Sequence, residues 1–158
     1  MSPHPSSPSQ APERDDRRYP ERPIVGVGVV LWRDHQVLLI KRGKPPREGM
    51  WSLPGGLQQL GETVFEAARR EVREETGLEI EVIDIVAVVD SIQHDDDGRV
   101  RYHYTLVDVL AEWRAGEARA QDDAADATWT SADELASFEL WDETVRVIGL
   151  AAERRGRA

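Results

Sequence analysis

The segment from residue 56 to residue 78 constrains this chain more than any other stretch. After a polar loop, Thr63 and Glu66 stand at the spacing of a capping box, in which each side chain bonds to the backbone amide of the other. Gly77 follows at the place where a left-handed residue commonly ends a helix. The spacing therefore predicts a helix between Thr63 and Gly77.

Three carboxylates share one face of this predicted helix. Glu71, Glu74 and Glu75 are three and four residues apart, so they are neighbours on the helix surface, and each like-charge pair costs roughly 0.2–0.5 kcal/mol. A core stripe that includes Ala68 and Val72 lies elsewhere on the helix. A hard divalent cation would relieve the repulsion, and Mg²⁺ is favoured because it combines a few carboxylates with substrate phosphates. The alternative is an acidic face in contact with solvent.

The whole segment resembles the Nudix box, G-x5-E-x7-R-E-U-x-E-E-x-G-U, where U is aliphatic. Every fixed position is matched, by Gly56, Glu62, Arg70, Glu71, Val72, Glu74, Glu75, Gly77 and Leu78. A chance match in a chain of this composition is on the order of one in a million. The resemblance implies an α+β protein, an α/β/α sandwich with a mixed β-sheet, spanning roughly residues 23 to 152.

The resemblance also implies a divalent-metal site, with Mg²⁺ or Mn²⁺ as the cofactor. The ligands it implies are the carbonyl of Gly55 and the carboxylates of Glu71, Glu74 and Glu75. Glu71 is either a ligand or the catalytic base. Arg70 and Glu62 are the other implied catalytic-site residues, and they orient the carboxylates, because a guanidinium can hold a carboxylate with two hydrogen bonds.

The activity implied is hydrolysis of the pyrophosphate bond in a nucleoside diphosphate joined to another group. ADP-ribose or a similar nucleotide sugar is the expected substrate, since segments 101–108 and 121–129 are similar to bacterial ADP-ribose pyrophosphatases. Two alternatives stay open: a nucleoside triphosphate pyrophosphohydrolase, including one for oxidised nucleotides, and a Nudix-fold regulator without turnover. Regulators usually have a broken box, and this box is intact.

Four residues outside the helix are further site candidates. Asp123 stands six residues before Trp129, where relatives often carry an extra acidic ligand, although an exposed loop acid is an equal alternative. Arg42 and Arg47 precede the box and are candidates for phosphate binding, against the alternative of a solvated loop. Trp51 adjoins the glycine pair of the box, so we expect it to line the site.

Charge and composition narrow the partners. The formal net charge of -10 disfavours nonspecific binding to nucleic acid or to an anionic membrane. The resemblance implies a small nucleotide as the partner. The chain has no Cys, which excludes disulfides and thiolate metal sites. It has neither a long apolar run nor a secretory signal pattern, so we expect a cytoplasmic location. Many proteins with this box form homodimers, but the length of the chain does not decide between a monomer and a homodimer.

The rest of the chain predicts strands, two further helices and two unstructured ends. β-rich runs cover residues 24–32, 36–41, 78–89, 100–110 and 127–130. Gly26 and Gly28 predict close packing within the sheet, because no helix follows them. A second capping box, Ser131 to Glu134, predicts a short helix, and 142–152 predicts the last one. Residues 1–22 are expected to be a disordered tail and 153–158 a frayed end.

Overall fold

A computed structural model describes residues 17–44 and 47–156. Within these residues the strands are β1 (Ile24–Arg33), β2 (Gln36–Arg42), β3 (Trp51–Ser52), β4 (Gly55–Leu57), β5 (Glu79–His94), β6 (Val100–Ala115) and β7 (Ala124–Ser131). The helices are α1 (Val64–Thr76), a 3₁₀ helix (Ala132–Phe138) and α2 (Asp142–Gly156). None of the described helices is long and apolar enough to cross a membrane.

One mixed sheet contains all seven described strands. Its main order is β3-β2-β1-β6-β5, and β1 runs parallel to β6, whereas the other pairs are antiparallel. On its other edge β1 pairs with β4 through Gly26–Gly28 but with β2 only at Trp32 and Arg33. The strand β2, which also pairs with β3 and β7, therefore separates from β1. Along the rest of that edge β1 pairs with β4, which lies at the start of the box segment.

Both faces of the sheet are covered, so the predicted α/β/α sandwich is confirmed. On one face α1 buries Ala68 and Val72 against side chains that include Val29 of β1. On the other face α2 buries Val147 in a cluster that includes Val30. Neighbouring residues of β1 thus point to opposite layers, which explains why this strand is apolar almost throughout. Each fully buried aliphatic side chain stabilises the fold by about 1.5–3 kcal/mol.

The local signals for α1 are confirmed. The Thr63 hydroxyl accepts a hydrogen bond from the amide of Glu66, and the Glu66 carboxylate accepts one from the amide of Thr63, both at 3.1 Å. Gly77 has a φ of 77°, and its amide donates to the Arg73 carbonyl at 2.9 Å. The box helix therefore begins and ends where the sequence predicts.

The prediction of a second capping box, at Ser131 and Glu134, is wrong. Ser131 makes no side-chain cap hydrogen bond, and the residues after it form a 3₁₀ helix. Ser131 is still paired with Gln36 at the end of β7, so the strand holds its backbone. Leu135 is the buried residue of the 3₁₀ helix, which leaves this short segment little apolar surface with which to extend into an α-helix.

The predicted frayed end is wrong for residues 153–156, because α2 continues to Gly156. Arg155 forms an ion pair with Glu112 of β6, with Nε and Oε1 2.5 Å apart, and its guanidinium carbon lies 5.1 Å from the centre of the Trp32 ring. These tertiary contacts hold the last helical turn on the sheet. Residues 157 and 158 lie outside the described residues.

The predicted disordered tail needs a similar correction for its last part. Residues 1–16 lie outside the described residues. The amide of Tyr19 donates to the Arg101 carbonyl at 2.7 Å, and its hydroxyl donates to Asp95 at 2.9 Å. Arg99 lies 4.5 Å from the centre of the Tyr19 ring. The chain is therefore attached to the β5–β6 hairpin before β1 begins.

Candidate active site

Arg70 joins the loop and the helix of the box. Its Nε and Nη2 donate to the two oxygens of Glu62 at 2.7 and 2.9 Å, and its Nη2 also donates to the Leu57 carbonyl at 2.9 Å. Its Nη1 donates to Glu71 at 2.7 Å and to Glu74 at 3.1 Å. One guanidinium therefore contacts three carboxylates, and the orienting role of Arg70 and Glu62 stays a prediction.

Electrostatic interactions keep Glu62 and Arg70 ionised. The hydrogen bond from Arg70 lowers the pKa of Glu62 to about 2, with help from the amide of Gln59. The same bond to Glu62 raises the pKa of Arg70 further above its ordinary value. Because neither group titrates near neutral pH, the pair provides a fixed support for Glu71.

Glu71 lies against the glycine that opens the box. A Cβ atom at Gly56 would stand 2.5 Å from the Glu71 carboxyl carbon, so only glycine allows the carboxylate to lie there. Burial raises the pKa of Glu71, while the hydrogen bond from Arg70 opposes that shift. The result is a half-buried, rigidly held carboxyl group that is easier to protonate than an exposed glutamate.

Glu75 is the most buried acid of the helix, with a side chain that is 5% exposed. Its Oε2 has no hydrogen-bond partner among the described residues, and its Oε1 is 3.9 Å from Nη1 of Arg42. Burial raises the pKa of Glu75 to about 8, although Arg42 partly offsets the effect. A buried polar group left without a partner costs about 1–3 kcal/mol, so its retention points to a functional role.

The donors present fit a divalent cation, although the described residues contain no preassembled group of three acidic, His or Cys ligands. Glu75 offers an unpaired buried oxygen, and Glu71 is close enough to raise its pKa further. Carboxylate oxygens are the ligands that Mg²⁺ prefers. Glu75 would hold the ion, with Glu71 beside it as a second ligand or as the base. Glu74, 44% exposed and bonded to Arg70, and the Gly55 carbonyl stay predicted ligands.

A cavity of about 210 Å³ adjoins this cluster at Gly56, and three predicted residues lie in its wall: Arg42, Arg47 and Asp123. Nε of Arg42 donates to the Ser52 hydroxyl at 3.1 Å. Burial, followed by repulsion from Arg42, lowers the pKa of Arg47. The cavity thus carries fixed positive charge next to the carboxylates, as a phosphate-binding pocket requires.

Asp123 is held by the loop before the box. Its carboxylate is 2.7 Å from Nζ of Lys44, and its carbonyl accepts a hydrogen bond from the amide of Gly43 at 2.8 Å. The side chain is 55% exposed, but its charge still raises the pKa of Glu75. Asp123 therefore lies near the cluster, and its role as an additional ligand stays a prediction.

Trp51 does not line the cavity. Its ring packs edge-to-face on Phe138 of the 3₁₀ helix, with the ring centres 5.2 Å apart. Neighbouring residues of a strand point to opposite sides, so Ser52 faces the cavity and Trp51 faces the core. The tryptophan in the wall is Trp141, which precedes α2 and which only the tertiary fold brings there.

Sequence reasoning missed Asp108, a buried acid of β6 that also lies in the cavity wall. A signal existed, because Leu106, Asp108 and Leu110 occupy alternate positions of one strand and therefore share a face. Asp108 is buried, so contact with solvent does not explain why an acid occupies this position of an apolar strand.

The chain belongs to the NUDIX domain family, whose model matches residues 22–148, and with this fold it is a Nudix hydrolase. It is 38% identical to the ADP-ribose pyrophosphatase of Methanocaldococcus jannaschii over 123 residues. This matched segment covers 78% of this chain and 70% of that protein. It is also 38% identical over 113 residues to the putative 8-oxo-dGTP diphosphatase 2 of Mycobacterium tuberculosis, over 71% and 75% of the two chains.

Among solved structures, the MutT NUDIX hydrolase from Burkholderia pseudomallei matches with a TM-score of 0.71 and 33% identity, over 82% of this chain and 98% of that one. The family, the fold and the enzyme class predicted from the sequence are therefore confirmed. A divalent metal and a small nucleotide substrate are general features of this family.

Proposed function

We propose that the protein hydrolyses the pyrophosphate bond of ADP-ribose and releases AMP and ribose 5-phosphate. The observation that carries the proposal is the buried carboxylate of Glu75, one oxygen of which has no hydrogen-bond partner among the described residues. It lies beside Glu71 at the edge of a cavity containing Arg42 and Arg47. Carboxylates that can bind a metal cation therefore lie next to arginines that can bind phosphates. The name of the methanogen relative supports ADP-ribose as the substrate.

In this reaction the oxygen of a water molecule bonds to one phosphorus, and the bond from that phosphorus to the bridging oxygen breaks. A bound divalent ion would supply neutralisation of phosphate charge and a lower pKa for bound water. Glu71 takes the proton of the attacking water, because burial raises its pKa toward the range of a useful base. Arg70 keeps that carboxylate in place, and Arg42 and Arg47 offset phosphate charge.

A nucleoside triphosphate is the second candidate substrate, favoured by the likeness to the mycobacterial 8-oxo-dGTP diphosphatase. The same carboxylate cluster would serve either substrate, since both contain a phosphoanhydride. The difference lies in the group beyond the second phosphate, which the cavity must accept or reject.

A substrate panel tests the proposal. ADP-ribose, ATP and 8-oxo-dGTP are each incubated with Mg²⁺, with Mn²⁺ or with excess chelator, and the products are separated by chromatography. We expect AMP from ADP-ribose at the highest kcat/KM, with Mg²⁺ at least as effective as Mn²⁺. Faster release of 8-oxo-dGMP would establish the second candidate instead. Undiminished turnover in chelator would refute the metal-dependent mechanism.

Three expectations accompany this function: Mg²⁺ as the preferred ion, a homodimer as the assembly and a cytoplasmic location. Sedimentation or light scattering of the purified protein measures the assembly directly. A monomer at micromolar concentration would contradict the homodimer without affecting the proposed chemistry.

A further inference from the structure

Asp108 is a buried acid that the proposed hydrolysis does not use. It is 7% exposed, lies on β6 opposite Gly28 of β1, and contributes to the wall of the cavity. Within the described residues its carboxyl group makes no hydrogen bond, and only a longer-range attraction to Arg146 of α2 acts on it. Burial raises the pKa of Asp108 to about 6. The described residues therefore supply no hydrogen-bond partner for a group that is costly to bury.

The glycines of β1 explain how this carboxyl group fits. A Cβ atom at Gly28 would overlap Oδ1 of Asp108, and one at Gly26 would stand 2.8 Å from a methyl carbon of Leu106. The two glycines alternate along one face of β1, so this strand contributes no side chain to that part of the cavity. The Asp108 carboxyl group consequently extends across the backbone of β1 beneath open space.

The cavity wall combines charged, polar and apolar side chains. Arg42 and Gly56 mark the end of the cavity that adjoins the carboxylate cluster. The cavity wall also contains the apolar or aromatic side chains of Leu53, Leu106 and Trp141, together with polar side chains such as Ser91 and Thr144. A cavity that combines aromatic and aliphatic side chains with a buried acid suits a flat heterocycle with an N–H donor.

We propose that Asp108 determines base specificity by accepting a hydrogen bond from the exocyclic amino group of the adenine ring. The identity of the base rests on the proposed function, whereas the binding itself does not require hydrolysis. A substrate amine in this position would give the buried carboxyl group the partner that the described part of the chain does not supply. A base without an N–H donor would leave that group unpaired, and selectivity follows from this penalty.

Calorimetric binding tests the proposal with ADP and with purine riboside 5′-diphosphate, which lacks an N–H donor on its base. Binding of 2′-deoxy-ADP tests contacts to the sugar. Chelator is present throughout, so no turnover occurs. Wild-type protein should bind ADP about tenfold more tightly than the analogue, the value of one hydrogen bond to a charged group. D108L should bind the two equally. D108N should keep a preference for ADP, because an amide can pair with the adenine edge.

Two further variants separate recognition from folding. Gly28→Ala retains Asp108 but displaces its carboxyl group, so it should also abolish the preference. D90L removes an equal charge from an exposed site on the neighbouring strand β5 and should leave the preference unchanged. If D108L does not fold, D108N and Gly28→Ala provide the comparison.

Four results would overturn the proposal. They are no ADP binding by wild type, no wild-type preference, an equal loss of affinity for both nucleotides in D108L, and selective loss in D108L of discrimination against 2′-deoxy-ADP. The last result would assign Asp108 to the sugar. A preference for ADP without hydrolysis of ADP-ribose would refute the proposed function and leave the role of Asp108 intact.

Discussion

Glu75 and Glu66 look alike in the sequence, but their surroundings differ completely. Glu66 is exposed, and its carboxylate accepts a hydrogen bond from the amide of Thr63 at the helix cap. Glu75 is buried, and one of its oxygens has no partner in the described part of the chain. The spacing of the three carboxylates predicted a shared face, but only the tertiary fold divides that face into an exposed Glu74 and a buried Glu75.

This difference predicts opposite consequences for the same substitution. Glu75→Gln removes a charge that we assign to the metal, so kcat/KM for ADP-ribose should fall about 10³-fold or more. Glu66→Gln is the matched control, and its activity should change little because glutamine also serves in a capping box. Initial rates at saturating Mg²⁺ provide the measurement. Similar activity in the two variants would show that the carboxylate face has no catalytic role.

Asp108 should make stability depend on pH. Its folded-state pKa of about 6 is above the ordinary value of 3.8, so the folded protein binds this proton more tightly than the unfolded chain. Wild-type stability therefore decreases as the pH rises from about 4 to about 6, and the loss is complete above that range. D108N avoids this loss, by at most about 3 kcal/mol at pH 7.5.

Urea unfolding of both proteins at pH 4, 5, 6 and 7.5 measures the difference in the free energy of unfolding. Other titrating groups, including Glu75, contribute equally to both proteins and cancel. The advantage of D108N should grow up to about pH 6 and then remain constant. An advantage that is the same at every pH would mean that the carboxyl group pays no burial penalty.

At the level of elements, sequence prediction succeeded where local chemistry decides the structure. Thr63, Glu66 and Gly77 lie within one segment, and they fix the ends of α1 without help from the rest of the chain. The end of α2 depends instead on Glu112 and Trp32, which are distant in sequence. For the same reason the sequence could not show that the cavity wall contains Trp141 rather than Trp51.

The last turn of α2 provides a test of this distinction. Arg155→Ala breaks a half-buried ion pair with Glu112 and removes packing on Trp32, so it should destabilise the protein by about 1–3 kcal/mol. Arg154→Ala is the matched control one residue earlier, because Arg154 and its partner Asp84 are exposed, and it should cost less than about 1 kcal/mol. Equilibrium unfolding in urea compares them, and equal effects would mean that the helix end is not anchored through Arg155.

On the scale of the whole molecule, a chain of net charge -10 concentrates several buried or half-buried acids around one cavity. Arg70 compensates Glu62 and Glu71, but Glu75 is compensated only weakly by Arg42 at 3.9 Å. The protein without a cation therefore bears an electrostatic cost that a cation would remove. Binding at the site and stability of the whole fold are consequently linked.

This linkage predicts that Mg²⁺ raises the melting temperature of the wild-type protein. A ligand at about 100 times its Kd stabilises a fold by about 2.7 kcal/mol, which corresponds to roughly 5–10 °C for a domain of this size. Glu75→Gln should lose most of the shift, because the ion loses a charged oxygen, whereas Glu66→Gln should keep all of it. Differential scanning calorimetry with Mg²⁺ and with chelator measures each shift at constant ionic strength. An equal shift in all three proteins would place the bound ion away from Glu75 and remove the carboxylate of that residue from the site.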